Sequence, residues 1–317
     1  VPLYEKECER KREKERKVFL MQLALFIQSV INGLNQGAIY ALIALGYTMV
    51  YGIIRMINFA HGDFIMVGAY TLFYTIPLMI SAGMPAWLSV LVAILVCVAV
   101  GITVEVVAYR PVRSQGSMTA LITALAMSLF LENLAMVLFG ANPKSVPAIF
   151  TLPTVSFLGA TLQTKYLLTF GIGACMMIAL QLFVKKTRMG KAMRAVPQDK
   201  EASTLMGIHV NKIITTTFAI GSGLAAVAAL MYCSTYPRCT TDMGSMMGLK
   251  AFIAAVLGGI GSIPGAMVGG LVVGLVEIFV KVYIAPGWYE AITYGLLIVV
   301  LLVKPSGILG KNIGEKV

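Results

Sequence analysis

The chain alternates long apolar runs with short polar segments. Apolar runs occupy residues 18–33, 37–54, 64–80, 86–108, 117–139, 166–184, 213–233, 249–282 and 288–304. A helix needs roughly 20 such residues to cross a ~30 Å hydrocarbon layer, and most of these runs come near that length with few charges inside. They predict an all-α, polytopic transmembrane bundle of about 8–10 spans, because a helix satisfies its own backbone in lipid. The run 249–282 is broken at Ser262-Ile263-Pro264-Gly265 and reads as two shorter pieces. Broken helices are therefore expected in both halves of the chain, here and between residues 37 and 80.

Charge then orients the bundle. Lysine and arginine cluster in the mixed-charge segment 4–17, at Arg110–Arg113, over Lys185–Lys200 and over Lys304–Lys316. The loops 140–165 and 234–248 carry only Lys144, Lys165 and Arg238. Basic loops mark the cytoplasmic side. The expected organisation is a charged cytoplasmic tail at 1–17, a membrane domain at 18–304 with a cytoplasmic loop at 185–212, and a cytoplasmic tail at 305–317. That arrangement needs an even number of crossings. Merging 18–33 with 37–54 into one helix flips one end, an option the sequence leaves open. The first residues imitate a signal peptide but lack an A-x-A-like cleavage site, which favours an uncleaved start.

Composition narrows the class. Hydrophobic residues make up 58% and charged residues 12% of the 317, with a mean hydropathy of +0.86. Soluble domains average about 25% charged residues, so lipid must cover much of this surface. The net charge of +11 sits in short segments beside apolar runs. Nucleic acid would want a broad basic face with aromatic readers, and is not expected as a partner. The five cysteines are scattered without a CxxC pair, and only two histidines are present, so no metal site and no cofactor is expected. The phosphate-cradling GxxxxGK[ST] pattern is absent, because GILGK at Gly307–Lys311 is followed by Asn312. No nucleophile–base pair stands out. The chain is therefore not expected to be an enzyme, and ATP hydrolysis is assigned to a partner.

Candidate sites lie where polar residues interrupt apolar runs. In the stretch Asn35–Tyr70, NQGAIYALIALGYTMVYGIIRMINFAHGDFIMVGAY, the apolar run is interrupted by Arg55, Asn58, His61, Gly62 and Asp63 and resumes at Phe64. A charge at the bilayer centre costs roughly 2.5–3.5 kcal/mol on insertion scales, so such groups face protein or water. Asn58, His61 and Asp63 are thus candidates for a translocation pathway; a wet loop between two spans is the plainer alternative. Gly261, Gly265 and Gly269 recur every fourth residue, with Gly270 and Gly274 offset by one, a spacing that lets helix backbones approach closely. Pro264 frees a carbonyl and argues for a break within the membrane, which adds Gly261, Pro264 and Gly265 to the pathway candidates. Among the acids, Glu277 can pair with Lys281 four residues on, and Glu105 can reach the Arg110 end of its span. Glu132 has no evident partner and is a candidate proton or substrate site.

The longest polar stretch after the first is 185–212, KKTRMGKAMRAVPQDKEASTLMGIHVNK. Pro197 can open and Gly207 close a short helix over 198–207. Asp199 and Glu201 then fall in its first turn, favourable against the helix dipole. Ala202, Leu205, Met206 and Ile208 give it an apolar side. Such a helix either docks in a partner's groove or lies on lipid headgroups.

Several blocks resemble a known family, the permease subunits of bacterial branched-chain amino-acid ABC importers. They are the Asn35–Tyr70 stretch, VAYRPVRSQGSMTALITALAMSLFLEN, KTRMGKAMRAVPQDKEASTLMGI, KAFIAAVLGGIGSIPGAMVGG and LLVKPSGILG. The resemblance runs from about Phe26 onward. It implies import of apolar amino acids across a bacterial inner membrane. It also implies a second related permease, two ATP-binding subunits and an extracytoplasmic binding protein as partners, besides the lipid bilayer itself. Glu201-Ala202-Ser203, with Gly207 four residues later, is similar to the Glu-Ala-Ala…Gly signature of importer permeases, Ser203 replacing the second alanine. In that family this loop forms the short helix received by the ATPase, which makes Asp199, Glu201, Ala202, Ser203, Leu205 and Gly207 the expected coupling residues. The rivals are a related permease for amides, urea or other small substrates, and an ion-coupled transporter acting alone. The second needs ionisable groups central in several spans, where only Glu132 qualifies.

Overall fold

The computed structural model describes residues 2–113, 115–149, 153–157, 160–304 and 306–310. Of the tail expected at 305–317, residues 305 and 311–317 lie outside the described residues. The helices in chain order are α1 (Pro2–Ile54), α2 (Asp63–Ser81), α3 (Leu88–Val104), α4 (Arg110–Val112), α5 (Ser117–Phe139), α6 (Thr164–Lys186), α7 (Arg188–Ala195), α8 (Lys200–Leu205), α9 (Val210–Thr235), α10 (Met243–Gly258), α11 (Ile263–Tyr283) and α12 (Tyr289–Val303). A 3-10 turn, Phe59–His61, precedes α2, and a π-helical turn, Glu105–Tyr109, joins α3 to α4. An antiparallel ribbon of β1 (Thr154–Phe157) and β2 (Ala160–Gln163) completes the set. It is held to α1 where Gln28 Oε1 accepts from the Thr161 backbone N–H at 2.7 Å.

Among the described residues, seven helical segments are long and apolar enough to cross a membrane, and α10 and α12 are shorter apolar helices. The protein is an all-α, polytopic membrane bundle. The run expected as broken, 249–282, is indeed two helices, α10 and α11.

One expectation is overturned. The runs 18–33 and 37–54 form a single helix, α1, of 53 residues, about 80 Å long at 1.5 Å per residue. Gly33 and Gly37, on either side of the gap between the two runs, are seam residues. A Cβ at Gly33 would lie 3.0 Å from the Leu275 Cα, and one at Gly37 would lie 2.7 Å from the Leu271 Cα. Asn35, between them, donates to the Thr235 hydroxyl at 3.4 Å. Helices in lipid gain no hydrophobic drive from meeting, so close backbone approach and dispersion must hold them; glycine serves that purpose here without ending the helix. α1 ends beside the α10–α11 turn that the C-terminal segment covers, so its residues 13–17 lie at the opposite end of the bundle from that segment.

The offset glycines of α11 divide between two neighbours. Gly270 and Gly274 face α1: their Cβ atoms would come within 2.5 Å of the Ala41 backbone and 2.2 Å of Gly37 N. Gly265 and Gly269 face α10, at 2.3 Å from Gly258 O and 2.0 Å from Ala254 O. The stripe is thus two stripes on adjacent faces, and α1, α10 and α11 interlock. A second group forms around α9, where Gly68 of α2 meets Ala226 and Ala229, and Gly101 of α3 meets Ser222.

Candidate functional site

The chain turns back into the bundle after α1. Arg55 takes a left-handed φ of 57°, Asn58 is extended, and the 3-10 turn and Gly62 lead into α2. The His61 ring lands against α1 and α9 together: a Cβ at Gly46 would lie 2.5 Å from its Cε1, and one at Gly221 would lie 3.4 Å from it. Gly46 lies eight residues before the end of α1, about 12 Å back along the helix. The first turn of α2 therefore starts inside the bundle, not at its rim.

There it meets the start of another helix. Gly62 packs on Gly244 and Gly248 of α10, and a Cβ at Gly244 would lie 2.5 Å from Asp63 Oδ1. The Asp63 carboxylate thus sits at the N-terminal turns of both α2 and α10. The unpaired N–H groups and dipoles of those turns favour negative charge.

The polar groups gathered here are buried and poorly paired. Asn58, His61 and Asp63 are at most 2% exposed. The Tyr109 hydroxyl donates to Asn58 Oδ1 at 2.6 Å, brought into place by the π turn. Among the described residues, Asn58 Nδ2, both His61 ring nitrogens and both Asp63 oxygens have no hydrogen-bond partner. Glu132 Oε1 on α5 is likewise buried without one; the same helix brings the Ser128 side chain to the verge of a hydrogen bond with Asp63 and the Glu132 charge near it. An unpartnered buried polar group costs about 1–3 kcal/mol. So many in one place do not serve stability.

Gly261, Pro264 and Gly265 are not part of this centre. They form the turn between α10 and α11 at the end of the bundle, where Gly261 packs beside Gly52. Pro264 lies in the first turn of α11, and the Ser262 hydroxyl caps the helix by accepting from Gly265 N at 3.2 Å. A proline there removes no helical hydrogen bond, so the freed carbonyl inferred from the sequence does not arise. The C-terminal segment closes over this turn, with Ile308 N and Leu309 N donating to the last carbonyls of α10, Leu257 O at 2.8 Å and Gly258 O at 3.0 Å.

The expected short helix is present, trimmed to α8 at Lys200–Leu205. Asp199 is its N-cap, accepting from Ala202 N at 2.9 Å, and Pro197 lies ahead of it. Gly207 adopts φ 79°, and Ile208 N reaches back to Ser203 O at 3.0 Å, a glycine-terminated helix end. Ser203 is buried, whereas Glu201 and Ala202 are exposed. Leu205 and Met206 stand 89% and 82% exposed.

A buried charge cluster escaped the sequence reading. Glu277 accepts from Lys281, as its spacing suggested, but also from Lys250 of α10 at 3.1 Å and from the Tyr40 hydroxyl of α1 at 2.6 Å. The signal was available: Lys250 is the one cation between Arg238 and Lys281, inside an apolar run, where charge is a mark of function or pairing.

A polytopic helical membrane bundle with a buried polar break and an exposed, capped helix beside its basic segments is the architecture of a membrane transport subunit. Comparison with known proteins gives the family. The family model described as "Branched-chain amino acid transport system / permease component" matches residues 29–302, and the chain belongs to that family. It is 42% identical over 305 residues to the high-affinity branched-chain amino acid transport system permease protein LivH of Salmonella typhimurium, covering 93% of this chain and 99% of that one. Identity to BraD, the corresponding Pseudomonas aeruginosa permease protein, is 42% over 301 residues, covering 92% and 98% of the two chains. LivH of Escherichia coli K12 is 42% identical over 305 residues, with 93% and 99% covered.

Proposed function

We propose that this chain is the membrane-spanning subunit of an ATP-driven importer that carries branched-chain, apolar amino acids into the cytoplasm of a bacterium. It pairs with a second, related permease in the inner membrane. Two ATP-binding subunits sit on its basic, cytoplasmic face and an extracytoplasmic binding protein on the other. The membrane domain runs from 18 to 304, with 185–212 as the coupling region; the residues before it emerge on the extracytoplasmic side.

The observation that carries this reading is the exposed tip of α8. Leu205 and Met206 project together from a helix capped at both ends, on the face where basic residues cluster. An apolar projection of that kind wants a protein groove. A transporter acting alone has no use for it. Asp199, Ser203 and Gly207 shape the helix, and Glu201, Ala202, Leu205 and Met206 form its docking surface. The substrate assignment rests on the relatives' names. Asn58, His61 and Asp63, with Glu132 beside them, line the pathway, and Gly261, Pro264 and Gly265 form the turn at its cytoplasmic end. A permeant with an apolar side chain needs few strong polar contacts along the way.

Reconstitution in proteoliposomes with the ATPase and binding-protein subunits tests the proposal. ATP-dependent leucine uptake is expected, and Asn58→Ala or His61→Ala should lower it about tenfold or more, the loss of one or two polar contacts, with ATPase assembly unchanged. Uptake that ignores ATP and collapses with a protonophore overturns the importer reading.

A further inference from the structure

The Glu277 cluster lies at the other end of the bundle from the α10–α11 turn, and nothing in the pathway reading uses it. Lys281 is two residues from the end of α11, and Tyr289 is the first residue of α12, so the cluster sits just beneath the 284–288 connection. Glu277 Oε1 accepts from both Lys250 and Lys281, and its Oε2 accepts from Tyr40. Both ammonium groups also lie against one aromatic face, 4.7 and 4.0 Å from the Tyr289 ring centre.

Donors outnumber acceptors here. Each ammonium carries three N–H groups, and only one from each reaches an oxygen among the described residues. The nearby carboxylate of Glu290 takes the Tyr289 hydroxyl at 2.9 Å and makes no ion pair with either lysine. Two cations therefore share one carboxylate, both on its Oε1, while Tyr40 takes up its Oε2. Lys250 and Glu277 are almost wholly buried, at 6% and 1% side-chain exposure, but Lys281 keeps 34%. Removing charges from water is costly unless they are paired, and this pairing is one anion short.

We infer that Lys250 and Lys281 form a receptor for a carboxylate, with Tyr289 as an aromatic cover that the incoming anion displaces. α12 can yield that cover: its one fully buried residue is Thr293. This deepens the importer reading and rests on it for the identity of the ligand. The carboxylate is that of the amino acid entering from the extracytoplasmic side. Tyr289 can then return over the ammonium groups once the carboxylate has moved on.

A binding measurement on the purified permease tests the site without the ATPase. The probes are isovalerate and its neutral isostere isovaleramide, and the readout is the thermal midpoint in nanodiscs of zwitterionic lipid. Isovalerate should raise the midpoint at millimolar concentration and isovaleramide should not. Lys281→Gln and Lys250→Gln should each weaken the isovalerate response roughly tenfold, the loss of one charge-assisted contact. Lys281 is partly exposed, so its variant is expected to fold even where the Lys250 variant does not. Equal responses to acid and amide overturn the proposal. So does a lowered midpoint with the isovalerate response intact, which makes the cluster a brace. Adding phosphatidylglycerol addresses a lipid phosphate: a Lys281-dependent shift that blocks isovalerate overturns the proposal in favour of lipid. Loss of leucine uptake from the wild-type assembly, with this anion response retained, sinks the importer reading alone.

Discussion

Gly274→Ala places one methyl group where the bundle has least room for it. The new Cβ would stand 2.2 Å from Gly37 N, 2.3 Å from Gly37 Cα and 2.7 Å from Gly33 O. These are backbone atoms of a helix and cannot rotate aside. Ordinary contact begins near 3.4 Å, so α1 and α11 must part by roughly 1 Å, enough to forfeit a quarter to a half of each dispersion contact along the seam. Three residues further on each helix, the Tyr40–Glu277 hydrogen bond of 2.6 Å stretches past the usual limit for O–H···O. Overpacking costs about 1–3 kcal/mol, and stranding a buried oxygen costs about 1–3 kcal/mol more. The better helix propensity of alanine returns up to ~1 kcal/mol. The net loss of about 1–5 kcal/mol corresponds, at about 2 °C per kcal/mol, to a fall of roughly 2–10 °C in the thermal midpoint. Gly223→Ala is the control, because its Cβ meets only Val98 Cγ2 at 3.6 Å and Ile94 Cγ2 at 3.9 Å; its midpoint should hold or rise. Tyr40→Phe combined with Gly274→Ala should cost less than the sum of the two, since both break one hydrogen bond. If Gly274→Ala melts with the wild type or with Gly223→Ala, the glycine seam is not what holds α1 to α11.

Two further outcomes follow from backbone geometry. Gly207→Val forces a branched residue to φ 79° with open space around it, a local strain of about 1–2 kcal/mol; the bundle should melt normally while co-purification of the ATPase and substrate uptake fall. Full ATPase recovery with normal uptake would end the coupling role of α8. Arg55→Gly relieves the one non-glycine positive φ among the described residues, worth about 1 kcal/mol, so the midpoint should rise by a degree or two; a fall would mean the guanidinium makes a contact that outweighs the strain.

Hydropathy made most of the helices legible because lipid imposes one length and one composition on every span. The run at 117–139 coincides with α5, and those at 64–80, 166–184 and 213–233 fall within three residues of α2, α6 and α9 at each end. Glycine was the ambiguous letter. At Gly207 it ends a helix, and local caps at Asp199 make that readable. At Gly33 and Gly37 it permits contact with α11, and only the partner, more than 230 residues away, reveals which role applies. The same distance hid the Tyr40–Lys250–Glu277 cluster, whose members come from three helices. In the polar break, the sequence marked Asn58, His61 and Asp63 as an interruption of the apolar run, and all three are buried there. It held no sign that α10 would bring a second helix N-terminus to Asp63, because α10 begins within what read as a loop.

The packing suggests where this bundle is softest. α1, α10 and α11 are joined by backbone-to-backbone glycine contacts, and the Ser306–Gly310 segment ties down the α10 end. α2, α3 and α9 form the other unit. Parting helices inside either unit sacrifices close dispersion contacts over several turns. Between the units, α1 packs along α9 with Asn35 donating to Thr235, and Gly62 packs on Gly244 and Gly248. His61 touches Gly46 on one side and Gly221 on the other, while the buried groups around Asp63 make few hydrogen bonds that separation could break. Water reaching Asp63 or the His61 nitrogens would instead supply partners they lack, so opening at this plane returns part of its own cost. α8 leads directly into α9 through Gly207 and Ile208. A force applied at Leu205 and Met206 therefore reaches α9 before any other spanning helix, and α9 carries one face of the plane where the unpartnered groups lie.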